Sequence, residues 1–271
     1  MQAGGASFAL DARPIRAWTP DRPGAFRRGA MDLRGRRATS AIMHSLPDDH
    51  RALGLGASGG SGSAVLARLR ADPRCAQAMG LSRSADGLDV TDEASLARAA
   101  SGLSGEYDLI FIATGALEID GRGPEKAFKQ LSAEAMAAQF ALNAAGPALA
   151  LKHFGAFLPK RRRALVGVLS ARVGSIGDNG LGGWMSYRAS KAALNQLIKC
   201  AAIELGRTHR HACIAALHPG TVRTELTEGR RGGYDTLSPD ESAERLLGIL
   251  DGWEPGDSGA FRDWKNEEVP W

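Results

Sequence analysis

The chain has 271 residues, of which 44% are apolar and 24% are charged, as expected for a globular protein with one sizeable core. Its net charge of +4 comes from the first 42 residues, which hold eight arginines and three aspartates, because the remainder holds 26 basic and 27 acidic residues. This near-neutral remainder excludes a nucleic-acid-binding surface, and the absence of an apolar run of about 18 residues excludes a membrane span. Three cysteines without CxxC spacing exclude a disulfide framework and a zinc site, and they fit a reducing cytoplasm.

The first 49 residues are expected to lie outside the folded domain. Residues 1–42 are rich in Arg, Gly, Ala and Pro, and they lack the apolar core of a secretion signal. Three aspartates also fit poorly with an organelle transit peptide. We therefore expect a disordered extension or an upstream start, with Met31 or Met43 as alternative beginnings, and a folded domain over residues 50–271.

From Arg51 onward, short apolar runs alternate with longer amphipathic stretches, a pattern typical of βαβ units. The predicted strands are 51–55, 76–82, 109–113, 164–169 and 213–217. The predicted helices are one through 64–69, one capped by Thr91, one over about 132–158, one that holds Tyr187 and continues to about Leu205, and one opened by a capping box at Ser238 and Glu241. The sequence thus predicts an α/β fold, a single Rossmann-type doubly wound parallel sheet with helices on both faces.

A glycine-rich turn follows the first predicted strand and opens the first predicted helix. Its spacing from Gly56 is GxxxGxG. In this context, backbone N–H groups and a helix dipole face a pyrophosphate, whereas a flexible turn without a ligand is the alternative. The residues predicted to bind a dinucleotide here are Gly56, Ser58, Gly60, Ser61 and Gly62.

The second predicted strand ends at Ser82 and Arg83, where the adenosine ribose of a dinucleotide lies in such folds. A carboxylate at this place would bind the ribose hydroxyls of NAD, whereas an arginine pairs with the 2′-phosphate of NADP. Arg83 therefore favours NADP(H), with NAD(H) still possible. A surface arginine without a ligand is the alternative interpretation.

Tyr187 and Lys191 are four residues apart, so they share one face of a predicted helix. An adjacent ammonium favours the phenolate and can lower the pKa of a tyrosine from about 10 towards neutrality. The pair is therefore a candidate for acid–base chemistry, whereas a solvated helix face with no function is the alternative.

Seven short motifs succeed one another along the chain. They are the glycine turn, Asp89-Val-Thr-Asp92, Ala113-Thr-Gly115, Asn143, a serine-rich strand end, Tyr187-x-x-x-Lys191 and His218-Pro-Gly-Thr-Val-Arg-Thr224. In this order they resemble the short-chain dehydrogenase/reductase family over residues 50–271. The ending, Ser258-Gly-Ala-Phe-Arg-Asp-Trp264 followed by Val269-Pro-Trp271, resembles the C-factor-like branch of that family.

The resemblance implies roles for individual residues. Tyr187 would be the general acid that protonates a carbonyl oxygen, or the base in the reverse direction. Lys191 would lower the pKa of Tyr187 and bind the nicotinamide ribose, and Asn143 would hold a water that links Lys191 to solvent. The other implied cofactor contacts are Asp89 and Val90 at the adenine, Ala113, Thr114 and Gly115 beneath the cofactor, and Pro219, Gly220, Val222 and Thr224 around the nicotinamide and phosphates.

The chain departs from the family pattern at the catalytic serine. Most relatives carry two serines at the end of the strand before the tyrosine, and the second polarises the substrate carbonyl. Here the run is Ser170-Ala-Arg-Val-Gly-Ser175, with Ala171 at the expected position. Three alternatives follow: Ser170 takes the role, Ser175 reaches in from the next loop, or neither serine does so and activity is poor.

Two further departures concern the cofactor side. The Asn-Asn-Ala-Gly pattern of many relatives is Ile112-Ala-Thr-Gly115 here, which keeps the tight glycine and removes asparagine hydrogen bonds. The stretch from Arg83 to Asp89 is too short for a helix and a strand. The adenine side of the site is therefore expected to be more open than usual.

These features predict an NAD(P)-dependent oxidoreductase that passes a hydride between NADPH and a carbonyl or alcohol substrate. A C-factor-like dinucleotide-binding signalling or scaffold protein with little turnover is the alternative, and Ala171 supports it. Neither reading includes a metal, a nucleic-acid partner or a membrane. The resemblance also implies a homodimer or homotetramer, and the cysteine pattern fits a cytoplasmic location.

Substrate contacts are expected from the residues before the tyrosine and from a later loop. Trp184 and Met185 precede Tyr187, and the loop over 227–237 contains Tyr234. Aromatic residues and methionines are as often plain core, which is the alternative for both groups. The glycine-rich segment 229–233 has the composition of a mobile lid.

Overall fold

The computed structural model describes residues 41–224 and 236–271. Its strands are β1 (His50–Leu55), β2 (Cys75–Leu81), β3 (Leu109–Ile112), β4 (Ala164–Leu169), β5 (Ala212–His218), β6 (Thr221–Val222), β7 (Thr236–Leu237) and β8 (Phe261–Asp263). Its α-helices are α1 (Gly60–Ala71), α2 (Arg83–Asp86), α3 (Glu93–Ser101), α4 (Ala133–Phe140), α5 (Gly146–Phe154), α6 (Met185–Leu205) and α7 (Pro239–Asp251).

Six strands form one parallel sheet in the order β2-β1-β3-β4-β5-β8, and β6 pairs with β7 separately. Alternate residues of each strand point to opposite faces, so β4 sends Val166 to one core cluster and Leu165 to the other. Leu96 of α3, Phe154 of α5 and Leu194 of α6 join the first cluster. The helices α1 and α7 cover the other face. The predicted doubly wound α/β fold is confirmed.

The strand β8 was not predicted from the sequence. It has three residues, and its pairing with β5 joins Ala216 to Phe261 and His218 to Asp263. A run this short carries too little periodicity to be recognised. By contrast, the short connection between β2 and α3 agrees with the spacing from Arg83 to Asp89, because it holds the single helical turn α2 and otherwise irregular chain. No strand pairs with the outer side of β2 among the described residues, so β2 forms an edge of the sheet.

Two predicted helix starts have different outcomes. Asp92, and not Thr91, caps α3, because its carboxylate accepts a hydrogen bond from Ala94 N at 3.0 Å. The capping box of α7 is confirmed: Ser238 Oγ accepts from Glu241 N at 3.2 Å, and the Glu241 carboxylate accepts from Ser238 N at 2.8 Å.

The predicted helix over 132–158 is not one regular helix. It begins after Ser132 as α4, widens into a π-helical turn over Ala141–Ala145, continues as α5 and ends in a 3₁₀ turn over Gly155–Phe157. A π-turn inserts one extra residue and often occurs at functional sites. Asn143 lies in this turn.

The predicted domain boundary at residue 50 is too late in the chain. Met43 and Leu46 are buried against the α1 and α7 face of the sheet. The Asp72 carboxylate accepts a hydrogen bond from Met43 N at 2.9 Å, and Arg74 donates to the carbonyls of Met43 and Leu46. Residues 41–49 therefore belong to the folded unit, and the rest of the predicted extension lies outside the described residues. In the described part of the chain, no helix is both long and apolar enough to cross a bilayer.

Candidate active site

A cleft of about 1440 Å³ crosses the carboxyl ends of the parallel strands. Chain segments that follow β1, β2, β3, β4 and β5 all contribute to its wall. The strand order changes direction between β1 and β3, the place where open α/β sheets bind ligands. Typical small-molecule sites occupy about 300–1,000 Å³, so this cleft has room for a dinucleotide and a second small molecule.

The glycine turn is packed tightly under the first turn of α1. Gly56 has a φ of 80°, and a Cβ atom built on Gly62 would lie 2.2 Å from the Gly56 carbonyl oxygen. The backbone therefore approaches itself more closely than a side chain would allow. The cleft wall here includes the predicted residues Gly56, Ser58, Gly60, Ser61 and Gly62.

At the far end of the cleft, Arg83 follows β2 in the first position of α2. Asp89 lies on the same wall, and hydrogen bonds from the hydroxyl and N–H of Thr91, together with the charge of Arg83, lower the pKa of its carboxyl. Val90 also lines the cleft. An ionised carboxylate and a guanidinium therefore lie where the sequence predicts the adenosine end of a cofactor.

The segment after β3 joins this wall to the candidate catalytic residues. Gly115 has a φ of 136°, and a Cβ atom there would lie 2.7 Å from Asn143 Oδ1 and 3.3 Å from Lys191 Nζ. Its neighbours Ala113 and Thr114 also line the cleft. The structure thus brings three separate predicted motifs to one point.

Asn143 is fully buried and its side-chain amide holds the backbone after β3. Oδ1 accepts from Ala116 N at 2.9 Å, and Nδ2 donates to Ala116 O at 2.8 Å and to Gln139 Oε1 at 2.7 Å. Gln139 in turn donates to Leu117 O at 3.0 Å. Asn143 therefore fixes the segment that carries Gly115, and its predicted hold on a water stays a prediction.

Tyr187 and Lys191 lie one turn apart in α6, and both line the cleft. Lys191 Nζ donates to the Leu169 carbonyl at 3.2 Å, at the end of β4. Burial raises the pKa of Tyr187 to about 12 and lowers the pKa of Lys191 to about 8. The lowered tyrosine pKa expected from the sequence is not seen in the chain alone, because burial disfavours the charged phenolate.

The two candidate serines differ in position. Ser170 and Ala171 line the cleft at the end of β4, and Ser170 Oγ donates to Asn195 Oδ1 of α6 at 2.5 Å. Ser175 lies outside the cleft lining, because its hydroxyl donates to the Pro270 carbonyl and accepts from Asp178 N at 3.0 Å. The structure therefore brings Ser170, but not Ser175, to the cleft that Tyr187 lines.

Comparison with known proteins places the chain in a family. A family model described as Enoyl-(Acyl carrier protein) reductase, of the short-chain dehydrogenase type, matches residues 66–248, about two thirds of the chain. The 1-hydroxy-2-glutathionyl-2-methyl-3-butene dehydrogenase of Rhodococcus sp. (strain AD45) is 30% identical over 194 residues, which cover 68% of this chain and 79% of that protein. The chain belongs to the short-chain dehydrogenase/reductase family.

The C-factor-like branch and the fold are also supported. The C-signal of Myxococcus xanthus is 38% identical over 140 residues, 50% of this chain and 78% of that protein. The NADPH-bound carbonyl reductase from chicken fatty liver has a TM-score of 0.72 at 22% identity, over 85% of this chain and 97% of that chain. A short-chain dehydrogenase/reductase from Burkholderia multivorans with bound NADP has a TM-score of 0.67 at 26% identity, over 82% and 100%. The resemblance found in the sequence is confirmed.

The remaining family motif follows β5. Pro219, Gly220 and Thr224 line the cleft, whereas Val222 is buried in β6 and does not. Gly220 has a φ of 80°, and a Cβ atom there would lie 2.8 Å from Trp264. The predicted lid over 229–233 and Tyr234 lie outside the described residues, and of the predicted loop 227–237 only the last two residues are described.

The expected substrate walls are found in part. Trp184 lines the cleft and its ring contacts Tyr187 edge to face with centroids 6.4 Å apart, whereas Met185 does not line the cleft. The sequence did not identify several residues of the cleft wall, because hydrophobic periodicity does not tell where a loop runs. They include Leu117, Ile119, Asp120, Arg172, Leu181 and Arg188. The sequence offered one signal for these residues, a position next to the candidate tyrosine Tyr187, and it applies to Arg188 alone. No cluster of ligating side chains that would hold a metal occurs among the described residues.

Proposed function

We propose that this protein is an NADPH-dependent short-chain reductase that converts a carbonyl group to an alcohol, with Tyr187 as the proton donor. The observation that carries the proposal is that Gly115, Tyr187 and Lys191 line one cleft whose other wall is the glycine turn, with the buried Asn143 directly behind Gly115. The relatives with bound NADPH and NADP support the cofactor, as does Arg83 at the adenosine end. NAD(H) remains compatible with the same residues.

The residues of the cleft fit a dinucleotide. Gly56 and Gly62 let the turn pack closely, because a Cβ atom would lie 2.6 Å from the Ala113 carbonyl oxygen or 2.2 Å from the Gly56 carbonyl oxygen. Thr114 Oγ1 is buried on the cleft wall without a partner among the described residues. Such an unsatisfied hydroxyl is costly unless a ligand binds it. We assign pyrophosphate binding to the glycine turn, the adenosine end to Arg83, Asp89 and Val90, and the nicotinamide end to Pro219, Gly220 and Thr224.

NADPH, when bound, supplies the hydride that reduces the carbonyl carbon. The Tyr187 hydroxyl donates its proton to the carbonyl oxygen, and Lys191 holds the ribose and favours the resulting phenolate. Ser170 is the candidate for a second hydrogen bond to that oxygen. Its hydroxyl must turn away from Asn195 to make that bond.

The proposal is tested by measuring NADPH and NADH oxidation with a panel of aldehydes, ketones and quinones. We expect turnover with at least one carbonyl class, and higher kcat/KM with NADPH than with NADH. Cofactor binding without turnover for every substrate would favour the second candidate, a C-signal-like dinucleotide-binding signalling protein. The observations that favour this candidate are Ala171 at the serine position and the bond of Ser170 to Asn195.

Ala171→Ser is expected to raise kcat for carbonyl reduction by about tenfold, because a preorganised donor at a developing oxyanion is worth about 10²–10³-fold when fully effective. Ala171 already lies on the cleft wall, half-buried. The measurement is kcat at saturating NADPH and carbonyl. Ala97→Ser, on an exposed position of α3, is the matched control. An unchanged or lower kcat in Ala171→Ser would show that Ser170 or another group already fills this role.

The two reaction directions are expected to differ in pH dependence. With a Tyr187 pKa of about 12, the phenol stays protonated at neutral pH and reduction is flat with respect to this group between about pH 6 and 8. Alcohol oxidation needs the phenolate, which makes up about 10⁻⁵ of the chain without cofactor at pH 7 and rises tenfold per pH unit. Initial rates of oxidation from pH 6 to 8 measure this slope. An oxidation rate independent of pH would contradict the base role.

We also propose a homo-oligomer in which α6 contributes to the contact. Leu197 and Ile203 of this helix are exposed, at 40% and 56%. An apolar patch that includes these two side chains would favour an interface between protein chains.

A further inference from the structure

The helix α6, which carries Tyr187, has no cap of its own. The residue before it, Trp184, has φ 54° and ψ 38° and makes no side-chain cap, and the first turn contains no acidic residue. Gly182 and Gly183 before it are also left-handed, with φ values of 64° and 66°. This sharp entry excludes the usual extended capping residue, although the first N–H groups of a helix need acceptors from outside the helix.

Glu125 supplies those acceptors from 61 residues earlier in the chain. Its backbone carbonyl accepts from Trp184 N at 2.6 Å, and its carboxylate accepts from Ser186 N at 3.2 Å and from Ser186 Oγ. The side chain is 8% exposed. Burial raises the pKa of the Glu125 carboxyl, but the hydrogen bonds from Ser186 outweigh it and the pKa is lowered, so the group is ionised at neutral pH.

We propose that Glu125 is a positioning residue for Tyr187. It caps α6 from a distant part of the same chain and so fixes the position and orientation of the phenol in the cleft. Tyr187 directly follows Ser186, to which the carboxylate is bonded. Negative charge at this helix end is stabilised by the helix dipole. This inference rests on the proposed role of Tyr187 as proton donor.

The same segment also touches the substrate side. Leu117, Glu118, Ile119 and Asp120 line the cleft a few residues before Glu125, and Lys126 N and Ala127 N donate to Gln130 Oε1 just after it. Glu125 is therefore the point where the cleft wall is tied to the catalytic helix. A displacement of about 1 Å at a reacting group costs up to about 10²-fold in rate, so a loose first turn is sufficient to impair turnover.

Glu125→Ala and Glu125→Gln test this inference. The alanine removes both carboxylate acceptors, whereas the glutamine keeps the shape and one acceptor oxygen without the charge. We expect kcat to fall about tenfold in the alanine variant and less in the glutamine variant, with KM and NADPH Kd within about twofold of the parent protein. Glu134→Gln is the matched control, because it removes an exposed carboxylate, paired with Arg122, from the neighbouring first turn of α4.

Hydrogen–deuterium exchange gives a readout that needs no substrate. In Glu125→Ala, amides of 184–188 are expected to exchange faster while those of 192–205 keep their protection. Faster exchange throughout α6, or kcat unchanged in both variants, would overturn the positioning role. If no substrate is turned over by the parent protein, the exchange result still tests the cap, so that failure of the cap and failure of the reductase proposal are told apart.

Discussion

Tyr187→Phe is expected to lower carbonyl turnover by about 10³-fold and to leave NADPH binding unchanged. General acid catalysis by a positioned side chain contributes about 10²–10⁴-fold, and this substitution removes the donated proton while keeping the ring. The ring also keeps its edge-to-face contact with Trp184, so the wall of the cleft is preserved. The measurements are kcat with the best carbonyl of the panel and NADPH Kd by fluorescence titration.

Tyr107→Phe is the matched control for this prediction. Tyr107 is buried away from the cleft, and among the described residues its hydroxyl donates only to Met79 Sδ at 3.8 Å, a weak contact. Its removal is expected to leave kcat unchanged. Full activity in Tyr187→Phe would contradict the proton-donor role, and an equal loss in both variants would point to destabilisation of the fold.

The sheet and the cofactor turn could be predicted because they depend on local pattern. Unbroken apolar runs such as Leu109–Ile112 mark strands that are buried on both faces of a parallel sheet. A glycine-rich segment between a strand and a helix predicts a tight turn with close backbone packing, and this is the geometry found at Gly56 and Gly62. The α6 spacing of Tyr187 and Lys191 likewise follows from helical periodicity alone.

The pKa values and hydrogen-bond partners of the candidate catalytic groups could not be predicted, because they depend on distant residues. Spacing places Lys191 beside Tyr187, but burial by the rest of the fold decides both pKa values. The same holds for the serines. Ser170 is held by Asn195 of α6, 25 residues further along the chain, and Ser175 by the carbonyl of Pro270 near the end of the chain.

Contacts between remote segments explain the other differences. Met43 and Leu46 belong to the core because Asp72 and Arg74 bind their backbone, which composition does not reveal. The π-helical turn that contains Asn143 lies where the Asn143 side-chain amide makes two hydrogen bonds to the backbone of Ala116. Glu125 reads as an ordinary surface charge in the sequence and is identified as a helix cap only by its bonds to Ser186.

Gly62→Ala is expected to weaken NADPH binding by about 100-fold. The added Cβ atom would lie 2.2 Å from the Gly56 carbonyl oxygen, 3.0 Å from its carbonyl carbon and 3.2 Å from the Ala113 Cβ. Two of these atoms are backbone, so α1 must move away from the turn that is assigned to the pyrophosphate. Overpacking of this kind also costs about 1–3 kcal/mol of folding free energy. NADPH Kd and the thermal midpoint Tm measure the two effects.

Gly59→Ala, three residues earlier, separates close packing from the mere addition of a methyl group. Its φ of −73° suits any L-residue, and its Cβ atom would lie 3.5 Å from the Gly56 oxygen, an ordinary contact. NADPH Kd is therefore expected to stay within about threefold of the parent value. If both variants bind NADPH equally well, the close approach of α1 to the turn does not set cofactor affinity, and the dinucleotide lies elsewhere in the cleft. If Gly62→Ala alone loses NADPH affinity, measured at a temperature well below its Tm, the glycine turn is the pyrophosphate site.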